Sequence, residues 1–112
     1  MTQKERKEYK QKQYQIRYEI DQGICQYKDC NTRSNIMAHR IAQSKANIKK
    51  YGWEIIQHNF NIAIACLQEF GGHNDSFNIG NKPKQCEKLV ELIKNRGDER
   101  LSTTYINNYI KE

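Results

Sequence analysis

No apolar run in this sequence is long. The longest windows, residues 62–67 and the pair Leu89-Val90, fall far short of the roughly 20 residues that a membrane-spanning helix needs. A positively charged start leading into a compact apolar segment is missing too, so there is no secretory leader to read. These absences predict a soluble, cytoplasmic chain with no membrane partner. An internal repeat, a low-complexity linker and a phosphate-binding glycine-rich loop are also absent, which excludes solenoid arrays and P-loop nucleotide chemistry. Apolar side chains are scarce as well, at 37% with a mean hydropathy of −1.01. A chain of 112 residues with so little to bury supports one modest core, and it calls for an additional staple.

Four cysteines are present, at 25, 30, 66 and 86. In a reducing compartment thiols serve as metal ligands or stay reduced rather than pairing as disulfides, so they are the natural staple. The 19 Lys and Arg against 13 Asp and Glu give a net charge of +6, a balance that permits a polyanionic partner without demanding one. Length predicts one domain over 1–112, with a basic arm (1–22), a central part (25–80) that the family resemblance below makes the metal core, and a C-terminal helical part (83–112).

In the arm, Tyr9, Gln13, Ile16 and Ile20 recur at helical spacing and predict a helix from about Lys4 to Asp21, closed by Gly23. Its Lys4, Arg6, Lys7, Lys10, Lys12 and Arg17 fit either a solvated face or a phosphate-tracking arm. Cys25 and Cys30 bracket a four-residue loop, a spacing that can turn two thiolates onto one tetrahedral ion. Ile36 to Ile41 alternates like a short strand, with Ile36, Ala38 and Arg40 on one face and Met37, His39 and Ile41 on the other. A histidine held there can act as a base or can simply be a satisfied structural side chain. Residues 42–52 read as a loop or short helix stopped by Gly52, with Lys45, Lys49 and Lys50 exposed, and Glu54–Gln57 reads as a second strand. Asn59-Phe60-Asn61 then makes a turn, and the apolar run Ile62–Cys66 delivers the third thiol.

Taken in order, Cys-x4-Cys, a strand His-Arg, Asn-x4-Cys and His-Asn-x3-Asn resemble the HNH endonucleases, a family with a ββα-metal fold often clamped by a zinc knuckle. The resemblance covers residues 25–78. It implies an α+β fold in which a zinc-stapled ββα-metal core is flanked by the N-terminal basic helix and two C-terminal helices. It further implies a DNA-cleaving enzyme with His39 as general base, Asn61 bracing the loop and Asn78 binding a catalytic Mg2+ or Mn2+. Cys25, Cys30 and Cys66 resemble three ligands of a structural zinc. Where the family carries a fourth cysteine this chain has Glu69, so His73 or Cys86 stands in, His73 giving the better match to the family's pattern.

A second departure is Ala38, at the place of the family's carboxylate or histidine cation ligand. His58 or Asp75 can complete such a site, or water and DNA phosphate can fill it. In another register His39 becomes the ligand and no histidine base remains. Expected DNA contacts are Arg17, Arg40, Lys45, Lys49 and Lys50. The alternative function is a non-catalytic, zinc-stapled nucleic-acid-binding module, which Ala38 favours and the conjunction of His39, Asn61 and Asn78 disfavours. The tail is ordinary helix: Pro83 opens a segment with Cys86, Leu89, Val90 and Ile93 on one face. A second segment follows a Ser102/Thr103 cap with Leu101, Tyr105, Ile106, Tyr109 and Ile110. These helices either cover the metal unit or pair two copies into a homodimer.

Overall fold

In a computed structural model the chain is a mixed α+β protein, described over residues 1–27, 30–66 and 77–111. Helix α1 (Gln3–Asp21) starts one residue before its expected position, because Thr2 and Glu5 form a reciprocal capping box that holds the first turn. It ends where Gln22 and Gly23 both take positive φ, 58° and 66°, the second of which glycine adopts without strain. Strand β1 (Ile36–His39) pairs antiparallel with β2 (Ile62–Ala65), placing Ile36 opposite Ala65 and His39 opposite Ile62. Between the strands lie α2 (Lys45–Tyr51), α3 (Trp53–Ile56) and a 3-10 turn, Asn59–Asn61. Helices α4 (Pro83–Arg96) and α5 (Thr103–Ile110) follow.

The strand expected at Glu54–Gln57 is instead the single-turn helix α3, with Ile56 N donating to Gly52 O and Gln57 N to Trp53 O. A strand would send Ile55 and Ile56 to opposite faces. The helical turn lets Ile56 enter the main core while Ile55 packs against it, so burial overrides the β-branched local preference. That core joins Ile41, Ile56 and Phe60 to the buried faces of α4 and α5, including Leu89, Leu92, Ile106 and Ile110. The apolar centre thus sits between the inter-strand insertion and the tail helices. The hairpin itself has only a small cluster of Ala38, Ala63, Ala65 and Phe77, too little to stabilise two four-residue strands alone. Ser102 caps α5 as expected, but Tyr105 and Tyr109 point outward while Thr103, Ile106 and Ile110 are buried, so the apolar side of α5 is already covered within the chain. Among the described residues no helix is long and apolar enough to cross a membrane.

A buried polar knot joins the arm to this body. Arg17 is fully buried, donating from Nε to Asn59 O at 3.0 Å, from Nη2 to Asn59 Oδ1 at 2.9 Å and from Nη1 to Thr103 Oγ1 at 3.2 Å. Asp21 pairs with the same guanidinium at 3.4 Å and accepts the Thr103 hydroxyl at 2.6 Å. Gln13 Oε1 accepts from both the backbone and side-chain nitrogens of Asn59, each at 2.9 Å. One face of α1, at spacings of four, is therefore locked to the 3-10 turn and to α5. Arg17 was expected as a DNA contact on an outer face, and its burial removes it from the surface.

Candidate metal centre and the β1 faces

Three sulfur atoms meet at the open end of the hairpin. Cys25 N donates to Thr32 O and Gln26 N to Ile64 O, which ties the first cysteine loop to the end of β2 where Cys66 emerges. The Sγ atoms of Cys25, Cys30 and Cys66 all lie within 4.8 Å of one another, and those of Cys30 and Cys66 are 3.6 Å apart. Ligands about 2.3 Å from a tetrahedral zinc would stand ~3.8 Å apart, so the cluster has the right size to hold such an ion. None of the cysteines forms a disulfide. The Thr32 side chain, and then its backbone, hold the Cys30 thiol down at about 6, whereas burial pushes Cys25 up. That favours a thiolate at Cys30 at neutral pH, the form a metal ion would require. Cys86 takes no part: it is buried in the main core and its thiol donates to Ile79 O at 3.2 Å. His73, the expected fourth ligand, lies outside the described residues, as do Glu69 and Asp75.

Asn61 braces the hairpin from within. Its Oδ1 accepts from Ile41 N at 2.9 Å, and its Nδ2 donates to Ile41 O at 3.0 Å and Ile56 O at 2.8 Å. One buried amide thereby closes the long connection between the strands. His58, a candidate cation ligand, is engaged at both nitrogens: Nδ1 accepts from Phe60 N, and Nε2 donates to Gly97 O at 3.0 Å. Burial holds its imidazole down at about 4, so it is a neutral structural histidine.

The alternation of β1 separates the remaining candidates. His39 lies half-buried against α1, its ring edge-on to Tyr14 with centroids 6.3 Å apart. Gln57 Nε2 donates to Gln43 Oε1 at 2.7 Å, which turns Gln57 Oε1 toward His39 Nε2 at 3.2 Å. His39 therefore carries its proton on Nε2 and leaves Nδ1 as the lone-pair nitrogen. Burial, and secondarily nearby Lys10, lower its proton affinity. Ala38 and Arg40 both meet Phe77, Ala38 in the small cluster and Arg40 with its guanidinium 5.5 Å from the ring centroid. Arg40 is 1% exposed, donating to Phe60 O at 3.1 Å and Asn107 Oδ1 at 2.6 Å, so this expected surface contact is also an interior group.

Asn78 does not join His39. It accepts from Gly80 N and lines a cleft of about 280 Å³ with Arg40, Lys82 and Lys111. No carboxylate is among the described lining residues, and three cationic side chains there favour an anion over a divalent cation. The three thiols that the sequence pattern singles out are the ones brought together. That pattern missed the structural roles of Arg17, Asn59 and His58, although the Gln13, Arg17, Asp21 spacing marked a polar helix face. Lys45, Lys49 and Lys50 are exposed as expected. In comparisons with known proteins, no protein-family model, no curated protein and no solved structure matches the chain.

Proposed function

We propose that this chain is a metal-stapled nucleic-acid-binding domain built on an HNH-like plan, its staple a zinc on Cys25, Cys30, Cys66 and His73. The observation that carries the reading is a row of cation–aromatic pairs leading toward His39. Lys50 lies over Tyr51 at 5.1 Å, Arg6 over Trp53 at 5.3 Å and Lys10 over Tyr14 at 5.4 Å. Tyr9 links the first half of α1 to Trp53, with ring centroids 5.6 Å apart, and its hydroxyl donates to Glu54 O. Interleaved cations and rings suit a nucleic-acid strand, since the cations neutralise phosphates and the rings offer surfaces for bases. The three thiols fix the hairpin that carries His39 at the end of this row.

The test is the salt dependence of DNA binding by the metal-loaded protein. Each neutralised phosphate of duplex DNA contributes about −0.9 to the slope of log affinity against log salt, so Lys10→Gln with Lys50→Gln should make it shallower by nearly 2. An unchanged slope and affinity would refute the assignment. A second reading, phosphodiester hydrolysis with Mg2+ or Mn2+, is favoured by His39 itself: a neutral imidazole whose Nδ1 takes a proton from water as the water oxygen attacks phosphorus and the ester bond to the 3′ oxygen breaks, the leaving oxygen taking its proton from solvent. In that case His39→Ala lowers plasmid nicking by roughly 10²–10⁴ while leaving DNA affinity intact. Binding without nicking by the unaltered protein retains the first reading alone.

A further inference from the structure

Arg40 is a buried cation without a counter-ion among the described residues. Its Nε and Nη1 are engaged, but Nη2 is closed off from solvent with no hydrogen-bond partner among the described residues. The nearest charged groups of the interior, Arg17 and Asp21, are committed to one another and to Thr103. A guanidinium taken out of water is costly unless an anion compensates it, because the hydration it loses is not replaced. Burial accordingly depresses its basicity to about 9.

The guanidinium sits under a cleft of about 280 Å³: its partners Asn107 and Phe77 line that cleft, as do Lys82, Lys111 and Gln85. Lys82 and Lys111 are exposed, so two solvent-accessible ammonium groups flank the buried guanidinium. Three positive charges exceed what one carboxylate would neutralise. A phosphate monoester offsets more of them, since its charge approaches two at neutral pH and its oxygens can accept from lysine and side-chain amides together.

We propose that this cleft is a binding site for a phosphate monoester, carried either by a free mononucleotide or by the phosphorylated end of a strand. The site shares no residue with the cation–aromatic row on α1, α2 and α3, and it does not rest on the function proposed for that row. Bound phosphate draws Lys82 and Lys111 inward over Arg40, with the attached sugar and base extending outward past the rim.

The experiment uses the full-length, metal-loaded protein at low salt and follows amide resonances during titration with inorganic phosphate, deoxyadenosine 5′-monophosphate, deoxyadenosine and acetate. The expected result is that the two phosphates shift Asn78, Ile79, Lys82 and the Asn107 side chain, while deoxyadenosine and acetate at equal concentration do not. Lys82→Glu, an exposed change that leaves Arg40 in place, should weaken monophosphate binding at least tenfold. Lys111→Glu should act in the same direction. Arg40→Gln adds the interior arm where that variant remains folded. Shifts confined to the Lys10 and His39 region, acetate binding as tight as phosphate, or a Lys82→Glu affinity within twofold of the unaltered protein would each overturn the proposal. Comparing the monophosphate with a 5′-phosphorylated oligonucleotide identifies the source. Equal affinity assigns a free nucleotide, and tighter binding that is lost with the 5′-hydroxyl oligonucleotide assigns a strand end.

Discussion

Replacing Arg17 by methionine keeps an unbranched stem of similar reach and deletes the guanidinium. The structure sets the cost. Among the described residues the Asp21 side chain, 2% exposed, keeps only the Thr103 hydroxyl, and Asn59 loses the donors to its carbonyl and side-chain oxygens. Removing one member of a buried ion pair costs about 3–5 kcal/mol, because the other charge stays desolvated and unpaired. At an unfolding entropy of roughly 2.1 cal/mol/K per residue, a 112-residue chain should lose about 13–21 °C in melting temperature. Urea and thermal denaturation of the metal-loaded protein measure this directly. The double variant Arg17→Met, Asp21→Leu should recover part of the loss, since it removes the stranded carboxylate with its partner. A loss under 1 kcal/mol, or intact stability with weakened DNA binding, would refute the interior role and return Arg17 to the surface as a phosphate contact.

Metal analysis should give about one equivalent of zinc, with Cys66→Ser losing both metal and fold, because binding energy in such a site is folding energy. Cys86→Ser should retain the metal, and loss of metal from that variant would make Cys86 the fourth ligand in place of His73. For His58 the sign follows from a folded-state pKa of about 4, below the ordinary 6.5: the unfolded chain takes up a proton that the folded chain refuses. Stability present in full above pH 6.5 should therefore decline as pH falls toward 4, by on the order of 3 kcal/mol, and an NMR titration of His58 with its midpoint near 6.5 would disprove the assignment.

The elements most legible in the sequence were those that repeat a local rule. The apolar spacing of α4, the Ser102 cap of α5 and the Gly23 stop of α1 each act within a few residues, and each stands where expected. The thiols were legible because their chemistry narrows the choice of partners. Arg17 and Arg40 were not, since a basic side chain carries no mark of burial. What buries Arg17 is Asn59 and Thr103, 42 and 86 positions away. For Arg40 it is Phe60 and Asn107, 20 and 67 positions away. The same distance effect turned Glu54–Gln57 from an expected strand into part of a helical segment, since only the core it faces asks for Ile55 and Ile56 on one side.

The alternation of β1 bears most directly on whether hydrolysis can be built into this chain. The position before His39, where the HNH resemblance expects a cation ligand, is a methyl group 2% exposed and packed with Phe77. Two residues on, and against the same ring, stands the Arg40 guanidinium. A divalent ion at a nominal ~5 Å from one such charge would meet a repulsion of about 7 kcal/mol at an effective dielectric of 20, and it would have to compete with the guanidinium for any carboxylate added beside it. Ala38→Asp should consequently fail to create Mg2+-dependent cleavage. The new carboxylate, buried on the face that also carries Arg40, should pair with the guanidinium and depress phosphate binding in the adjoining cleft. Plasmid nicking across a Mg2+ and Mn2+ series, set beside monophosphate titration of the same variant, separates the outcomes. Cleavage gained at low millimolar Mg2+ with phosphate binding unchanged would show that the cation, not Arg40, commands this face of the strand.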